Sequence, residues 1–209
     1  MKKQQKISKN QLLRLPLYLN YLKNKKNEGI FNISSPTIAK DLNLSEEKVR
    51  KDLSLISSQE GKPNLGRNID DLIKDIEGFL GYDVITSAAL VGVGHLGKAL
   101  LAYKGFAQYG LNIVMGFDSN PELDGQVIAG KRIYYSKNMS MLCRIMKVQI
   151  GIITVPEAFA QGVCDELVEA GVKAIWNFAP THLNVPDGVI VHNENMAASL
   201  AVLSRSIQK

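Results

Sequence analysis

The stretch that decides the fold is LVGVGHLGKAL, residues 90–100. It follows an apolar run and opens a helical pattern, and its glycines have the GxGxxG spacing of a dinucleotide-binding turn. Gly94 is expected to let a pyrophosphate approach the backbone, while Gly97 is expected to let the helix pack closely on the strand. The helix N-terminus favours the phosphate charge. The predicted phosphate site is the loop Gly92, Val93, Gly94, His95, Leu96 and Gly97.

An acidic residue follows at the distance that is typical of this turn. The next apolar run ends in GFDSN, residues 116–120, and places Asp118 about 20 residues past Gly97. A carboxylate there is expected to accept hydrogen bonds from both ribose hydroxyls of adenosine. Neither Ser119 nor Asn120 offers a cation for a 2′-phosphate. The sequence therefore predicts NAD(H) rather than NADP(H) as the cofactor.

Apolar runs surround the loop on both sides: VITSAALVG, LNIVMGFD, QIGIITV, VKAIWNFA and GVIVHN. Helical stretches separate most of them, and this alternation is typical of a parallel sheet with right-handed crossovers. We therefore expect an α/β fold, with a Rossmann-type NAD(H)-binding domain over residues 83–192.

The N-terminal part of the chain shows helical patterns instead of strands. Leucines at helical spacing predict an amphipathic helix over residues 11–27. Pro16 lies either at the first position of this helix or at a kink inside it, and the sequence leaves both open. Asn68 predicts the N-cap of a later helix, since two aspartates follow it. The expected buried stripe of the first helix is Leu12, Leu15, Leu19 and Leu22.

Two short helices lie between these longer ones. Ser35 and Ser45 each predict the N-cap of a short helix, and the turn at Asn43 joins the two. This arrangement indicates a helix-turn-helix, and the breaker-rich segment SQEGKPNLGRNI, residues 58–69, indicates a wing. We expect a winged-helix DNA-binding domain over residues 1–82.

The net charge of +5 lies entirely in this first domain, because the rest of the chain holds equal numbers of basic and acidic side chains. A basic module beside a neutral one indicates contact with a polyanion, here double-stranded DNA. A solvated helix face explains the same charge, and the sequence leaves that alternative open. The predicted DNA-binding residues are Ser45, Lys48, Arg50, Lys51, Ser54, Ser57, Lys62 and Arg67.

Composition disfavours several other classes of protein. The chain has no run of about 18 apolar residues and no apolar segment behind its basic start, so neither a membrane span nor a secretory signal is expected. The expected location is the cytoplasm. Cys143 and Cys164 lack the spacing of a zinc site or a disulfide framework, so we expect buried free thiols and no metal.

A dehydrogenase is disfavoured as well. Hydride transfer needs a substrate pocket and an acid or base, and a six-strand nucleotide fold leaves no chain for a substrate domain. His95 lies in the phosphate loop, and His182 and His192 lie near strand ends without a charged companion nearby in sequence. We therefore predict no catalytic residue.

The last segment, residues 193–209, predicts a helix that is apolar on nearly every side. A terminal helix of this kind must bury itself on another surface, such as a partner chain.

Seven stretches occur in order along nearly the whole chain: RLPLYL (14–19), VRKDLS (49–54), GVGHLGKALLAYKGF (92–106), FDSNPELDG (117–125), TVP (154–156), NFAP (177–180) and the tail helix. Taken together, they resemble the Rex family of redox-sensing transcriptional repressors. This resemblance implies a homodimer in which the C-terminal helix is domain-swapped into the partner. It also implies that NAD⁺ permits binding to operator DNA and that NADH releases the DNA. By this resemblance, the nicotinamide lies among Tyr103, Phe106, Thr154, Val155, Pro156, Asn177, Phe178, Ala179 and Pro180.

Two departures from the family pattern indicate a divergent branch. The family's tail helix typically starts with an Asp that changes partner between an N-terminal Arg and a Tyr. Here that position is Asn195, whereas Arg14 and Tyr103 are kept, and these three are the expected switch residues. The glycine-rich, aromatic stretch that usually follows the recognition helix is replaced by LISSQEGKPNLGRN.

The sequence thus predicts an NAD(H)-responsive repressor, because a dinucleotide loop and a basic DNA-binding module occur in one chain. The first alternative is an NAD-dependent oxidoreductase with a basic oligomerisation module, which turnover would reveal. The second is a DNA-binding protein with a purely structural nucleotide, whose DNA affinity would not respond to redox state.

Overall fold

The computed structural model describes residues 7–58, 61, 65–82 and 84–207. The chain divides into two compact units, Met1–Val84 and Ile85–Lys209, and each unit has an apolar core of its own. In these described ranges, no helix has both the length and the apolar character needed to cross a membrane.

The first unit opens with the long helix α1 (Lys9–Asn27). Ser8 and Gln11 form a capping box at its start, since each side chain accepts a hydrogen bond from the other residue's backbone N–H. Pro16 lies inside α1, so the helix does not begin there. Leu12 was expected to be buried but is 42% exposed. The core beneath α1 is filled by Leu15, Tyr18, Leu19 and Leu22.

The expected helix-turn-helix is formed by α2 (Ser35–Asp41) and α3 (Glu46–Ile56). Asn43 in the turn between them has a φ of 51°, a left-handed conformation that asparagine tolerates better than most residues. Val49 and Leu53 bury one face of α3 in the core of the unit. The opposite face of α3 is left exposed.

The start of α2 corrects one expectation. Its N-cap is Ser34, whose hydroxyl accepts a hydrogen bond from the backbone N–H of Thr37, and not Ser35. Proline is tolerated throughout the first turn of a helix, where its missing N–H has no partner in any case. The position of Pro36 in the sequence was therefore not enough to predict which residue begins the helix.

The unit closes with α4 (Ile69–Leu80) and a two-stranded antiparallel sheet. The Asn68 side chain accepts hydrogen bonds from the backbone N–H groups of the two following aspartates, which confirms it as the N-cap of α4. The sheet pairs β1 (Asn32–Ile33) with β2 (Arg67–Asn68), which ends the segment expected to form the wing. Residues 59, 60 and 62–64 of that segment lie outside the described part of the chain.

The second unit is built on a seven-stranded sheet. Its strands are β3 (Thr86–Val91), β4 (Leu111–Asp118), β5 (Val127–Ile128), β6 (Lys131–Tyr135), β7 (Ile150–Ile153), β8 (Ala174–Asn177) and β9 (Ile190–Asn193). They lie in the order β5-β6-β4-β3-β7-β8-β9, and every neighbouring pair is parallel except β5 and β6. Numbered along the chain, the six parallel strands have the Rossmann order 3-2-1-4-5-6.

Helices cover both faces of this sheet. Along β3, Ala88 and Leu90 pack into the same core as α5 (His95–Ala102). Ala89 and Val91 point the other way, towards α6 (Met139–Ile145) and α7 (Glu157–Glu169). This alternation is the period-2 pattern of a buried strand.

The last helix, α8 (Met196–Ser206), packs differently. None of its residues is buried within the chain, and its large apolar side chains are each at least 60% exposed: Met196, Leu200, Val202 and Leu203.

Candidate functional site

A cavity of about 820 Å³ opens at the carboxyl ends of β3, β4 and β7. The strand order reverses between β3 and β7, which is the position where doubly wound sheets bind their ligands. The predicted residues that line it are Gly92, Gly94, Asp118, Thr154, Val155 and Pro156. Its volume lies within the usual range for small-molecule sites.

Contacts within the protein determine the shape of the glycine loop. Gly92 has a φ of +98°, and a Cβ there would lie 2.8 Å from the carbonyl carbon of Thr154. A Cβ on Gly97 would lie only 2.0 Å from the carbonyl oxygen of Gly92, so α5 can pack here only with glycine. The Thr154 hydroxyl lies 2.7 Å from that same carbonyl oxygen and 3.0 Å from that of Val91, within hydrogen-bonding distance of both. The end of β7 therefore supports the loop.

Gly94 has a different environment. It is the N-cap of α5, no side chain caps this helix, and a Cβ built on Gly94 would meet nothing within 4 Å. The first N–H groups of a helix lack partners within the helix and carry its positive end. Open space thus lies in front of uncapped donors, which is the arrangement that a pyrophosphate fits.

Asp118, at the end of β4, is held in place by the backbone. One carboxylate oxygen accepts a hydrogen bond of 2.6 Å from the Val93 N–H, and the other accepts one of 2.8 Å from the Asn120 N–H. Each oxygen keeps further capacity to accept from a ribose hydroxyl. The carboxylate is therefore oriented in advance beside the loop.

The residues expected around the nicotinamide do not form one group. Thr154, Val155 and Pro156 line the cavity, whereas Tyr103 and Phe106 line a separate one of about 500 Å³. Neighbouring ring centroids lie 4.9, 5.7 and 4.6 Å apart in a row of aromatic side chains: Tyr103, Phe106, Trp176 and Phe178. This row lies on the α5 side of the sheet.

Asn177 is fully buried and shapes the segment that follows β8. Its side-chain amide lies within hydrogen-bonding distance of the backbone carbonyls of Ala179 and Thr181 and of the Asn193 side chain, and its oxygen accepts from the Ala179 N–H. Ala179 is buried as well, and Pro180 is exposed. Asn177 thus acts on the loop conformation, while Phe178 and Pro180 remain nearer to solvent.

Sequence reasoning missed about half of the cavity wall, namely Val91, Ser119, Ser136, Ala158, Phe159, Gly162, Val163 and Glu166. Ser136 follows β6, a strand that was not expected. Phe159, Gly162, Val163 and Glu166 have the spacing of one helix face, and this signal could have been found beside the buried stripe of α7.

The predicted DNA-binding residues lie mainly on one exposed helix face. Ser45, Lys48, Arg50, Lys51 and Ser54 are exposed, Ser57 and Arg67 are half-buried, and Lys62 lies outside the described residues. Arg50 forms an ion pair with Glu46, and Lys51 forms one with Glu47 at 2.7 Å. The second pair raises the pKa of Lys51 and lowers the pKa of Glu47. Exposed pairs of this kind contribute little stability, so phosphate can replace the carboxylates.

Arg14, expected to be part of a switch, is anchored within its own unit. Its Nε and Nη2 donate to the two carboxylate oxygens of Asp52 at 2.7 and 2.9 Å, and the Tyr18 hydroxyl donates to the same carboxylate at 2.8 Å. Burial raises the pKa of Asp52, but the hydrogen bonds from Arg14 and Tyr18 outweigh it and leave the pKa below its ordinary value. This group joins α1 to α3. The sequence did not single out Asp52.

The other two expected switch residues, Tyr103 and Asn195, lie in the second unit. Tyr103 is 58% exposed. The Asn195 side chain accepts a hydrogen bond of 2.8 Å from the Ala198 N–H and so caps α8. The roles of Arg14, Tyr103 and Asn195 in a switch remain a prediction.

His192 does have a charged neighbour, contrary to expectation. Its Nε2 lies 3.0 Å from Glu194 Oε1, which also accepts a hydrogen bond from the Trp176 indole N–H at 3.1 Å. Residues two apart on an extended segment lie on the same side, which brings these two side chains together.

Both thiols are buried, as expected. Burial raises the pKa of Cys143 and of Cys164 to about 11. Within the described ranges, no three or more His, Cys, Asp or Glu side chains are grouped closely enough to hold a metal ion.

Two family models match separate parts of the chain, and curated relatives match nearly all of it. The model described as "CoA binding domain" matches residues 83–181, and the model described as "Putative DNA-binding protein N-terminus" matches residues 6–54. The redox-sensing transcriptional repressor Rex of Porphyromonas gingivalis is 40% identical over 198 residues, which are 95% of this chain and 90% of the relative. The protein of the same name from Desulfitobacterium hafniense is 39% identical over 202 residues, 97% of this chain and 96% of the relative.

Solved structures match the fold over almost the same length. The chain is similar to the crystal structure of RSP in complex with beta-NAD⁺ and operator DNA, with a TM-score of 0.91 at 32% identity, covering 97% of this chain and 93% of that chain. The complex of RSP with beta-NADH gives a TM-score of 0.85 over 97% and 95% of the two chains. RSP is described as a Rex-family repressor.

A helix-turn-helix unit followed by a Rossmann sheet with an open dinucleotide cavity defines a class of protein, the transcription regulators that respond to a nucleotide. Identity of 40% over 95% of the chain specifies the member of that class. The chain belongs to the Rex family of redox-sensing transcriptional repressors, and its fold is the α/β arrangement of a helical DNA-binding unit and a Rossmann sheet.

Proposed function

We propose that this repressor binds operator DNA through α3 and that NAD(H), bound at the glycine loop, controls this binding. The observation that carries the proposal is the cavity in which the uncapped N-terminus of α5 and the fixed Asp118 carboxylate lie together. A relative that is 32% identical is described in complex with beta-NAD⁺ and operator DNA, and separately with beta-NADH, which supports both ligands.

Each part of the dinucleotide has a proposed partner. The loop from Gly92 to Gly97 holds the pyrophosphate on backbone N–H groups, and Asp118 accepts hydrogen bonds from the adenosine ribose. The nicotinamide lies beyond Thr154 and Pro156, towards the segment from Asn177 to Pro180.

The redox response follows from the charge of the nicotinamide ring. The oxidised ring is cationic and the reduced ring is neutral, so apolar surroundings favour the reduced form. Pro156 in the cavity wall and Phe178 in the segment after β8 are proposed to supply such surroundings. A ligand that binds two states of a protein with different affinity shifts their populations, and a tenfold difference corresponds to about 1.4 kcal/mol.

Operator DNA is proposed to contact the exposed face of α3. Arg50 and Lys51 reach phosphates or guanine edges, while Ser54 is small enough to allow close approach. The segment that contains Lys62 and Arg67 adds contacts as a wing.

The repressor is proposed to act as a homodimer through α8. A helix with exposed apolar side chains and no buried residue is incomplete in a single chain, and burial against a second chain would remove that apolar surface from water. Residues 193–209 would form the swapped element.

We further propose that the protein does not turn over its dinucleotide and that it acts in the cytoplasm. The described residues of the cavity wall include Asp118 and Glu166 but no histidine, lysine or arginine, which supports binding without turnover. The cytoplasm is where promoter DNA and the NAD(H) pool meet.

The test is a DNA-binding titration of the full chain with promoter DNA from its own genome, in the presence of NAD⁺ and then of NADH. We expect tight binding with NAD⁺ and release by NADH. Equal DNA affinity with both dinucleotides would identify a structural nucleotide instead. Oxidation of NADH in the presence of a 2-oxo acid would identify an oxidoreductase.

A further inference from the structure

The helix α7 carries two different faces along its length. Ala160, Cys164 and Leu167 form the buried stripe that packs on the sheet. A second stripe, Phe159, Gly162, Val163 and Glu166, lines the cavity described above. These four positions follow the i, i+3, i+4, i+7 spacing of one helix face. The sequence therefore presents a defined surface to whatever occupies the cavity.

The proposed phosphate and ribose positions set the direction of the ligand. The loop at Gly94 binds phosphate, and Asp118 binds the ribose. The base is attached to the ribose at C1′, whereas the phosphate is reached through C5′ on C4′, the other carbon that flanks the ring oxygen. The adenine therefore lies past Asp118, away from the glycine loop, where Ser119 and α7 close the cavity.

The second stripe offers two apolar side chains and a space. Phe159 is 64% exposed although it is large and apolar, and Val163 lies one turn further along α7. Gly162 lies between them, and a Cβ built on it would meet nothing within 4 Å. A flat ring can therefore approach the backbone of α7 at Gly162 while Phe159 and Val163 contact its faces and edges.

Glu166 supplies the polar group of this surface. Its carboxylate forms no hydrogen bond or ion pair with the other described residues, and an ionised carboxylate only accepts hydrogen bonds. Adenine carries an exocyclic amino group, a donor, at C6. Hypoxanthine and guanine carry a carbonyl oxygen at that position, which a carboxylate repels.

We propose that Glu166 selects adenine in the bound dinucleotide by accepting a hydrogen bond from its exocyclic amino group, with Gly162 leaving room for the ring. This inference rests on the proposed function, because it needs the dinucleotide at the glycine loop with its ribose on Asp118.

The test compares NADH with its deaminated analogue, nicotinamide hypoxanthine dinucleotide in reduced form, by calorimetry on the full chain. For the wild type we expect affinity for NADH to be about tenfold higher or more, since a hydrogen-bonding site rejects an analogue that lacks the donor. In Glu166→Gln this ratio should fall towards one, because an amide can accept from an amino group or donate to a carbonyl. Glu169→Gln, on the same helix but outside the cavity wall, should keep the wild-type ratio.

A second variant tests the space rather than the charge. Gly162→Leu should weaken both dinucleotides by a similar factor, of at least about tenfold, without changing the NADH ratio. Equal ratios in the wild type and Glu166→Gln would overturn the role of Glu166 while leaving the proposed function intact. Wild-type protein that binds neither dinucleotide would overturn the proposed function and this inference together.

Discussion

The Asp118 carboxylate accepts hydrogen bonds from two backbone N–H groups, which fix its orientation. We predict that Asp118→Ala weakens NADH binding by about 1.5 to 3 kcal/mol, the contribution of a charge-assisted hydrogen bond. Calorimetry measures this change directly. Asp165→Ala, an exposed carboxylate on α7 that pairs only with Gln161 among the described side chains, serves as the control and should bind NADH normally. Unchanged NADH affinity in a folded Asp118→Ala would remove this residue from the site.

Adding a side chain at two glycines of the same loop should have different effects, a loss of NADH affinity at Gly94 and a loss of stability at Gly97. Gly94→Val places its side chain in open space, so we predict a melting temperature close to that of the wild type and at least about a tenfold loss of NADH affinity. Gly97→Ala forces a Cβ against the Gly92 carbonyl, so it should lower the melting temperature itself. Circular dichroism and calorimetry on both variants separate the effects. The same loss of stability in both would contradict the assignment of Gly94 to the ligand.

Residue types at fixed spacing predicted the part of the cavity that lies on the glycine loop and at the end of β4. They could not predict the part that depends on which helix face meets the cavity, and Glu166 illustrates this. A glutamate near the end of a surface helix has the same local pattern whether it faces a ligand or solvent. His192 illustrates the same limit, since its pairing with Glu194 depends on where β9 ends.

The link between α1 and α3 gives a prediction about the DNA-binding unit. Asp52 is almost fully buried against Arg14 and Tyr18, so Asp52→Asn leaves a partly buried guanidinium without its counter-charge. We predict a loss of about 2 to 3 kcal/mol in the free energy of unfolding of this unit, measured by urea titration of the full chain. Glu77→Gln breaks the half-buried pair with Lys23, which solvent still screens, and should cost less than about 1 kcal/mol. Equal losses in both variants would show that the Asp52 network adds nothing to stability.

The same carboxylate determines how this stability depends on pH. The pKa of Asp52 is lower in the folded protein than in the unfolded chain, so its contribution is complete above the ordinary pKa of about 3.9 and is lost as the pH falls through the folded value. Wild type and Asp52→Asn should therefore differ most near neutral pH and converge in acid. Urea titrations between about pH 3 and pH 7 provide the comparison. Parallel curves over this range would contradict the assignment.

The basic face of α3 leads to a prediction about DNA. Arg50→Ala and Lys51→Ala should each weaken operator binding and reduce the slope of log affinity against log salt by about one, because each removes one phosphate contact. NADH affinity should remain that of the wild type. Lys74→Ala, an exposed lysine on α4, is the matched control. Normal DNA affinity and an unchanged salt slope in both α3 variants would assign the operator contact to another surface.

The elements that the sequence predicted best are those with strong periodicity. The five long apolar runs of the second unit all became strands, while the hairpin of β5 and β6 was missed. In β6 only Ile133 is buried, so KRIYY lacks the apolar run that marks a central strand. Pro16 shows the reverse case. This proline would normally mark a helix start, but it lies inside α1, because the leucines that α1 buries in the core lie on both sides of it, at Leu15 and Leu19.

For the molecule as a whole, the exposed apolar side chains of α8 lead us to predict a dimer. No residue of α8 is buried within its own chain, so Leu200→Glu should leave the fold and melting behaviour of the separate units intact. It should shift the chain from dimer towards monomer in analytical ultracentrifugation, since a charge in an apolar interface is costly. Gln149→Glu, which adds the same charge at an exposed position before β7, should leave the dimer unchanged. A dimer of wild-type stability in Leu200→Glu would place the interface elsewhere.

The two buried thiols, Cys143 and Cys164, are expected to react slowly with hydrogen peroxide. Thiolate is the form that oxidants attack, and a pKa of about 11 leaves roughly one thiol in ten thousand ionised at neutral pH. Direct oxidation of these two thiols by hydrogen peroxide is therefore expected to be slow. Oxidation at Cys143 and Cys164 is then a poor route to a false redox signal, which leaves the bound dinucleotide as the redox-sensitive group.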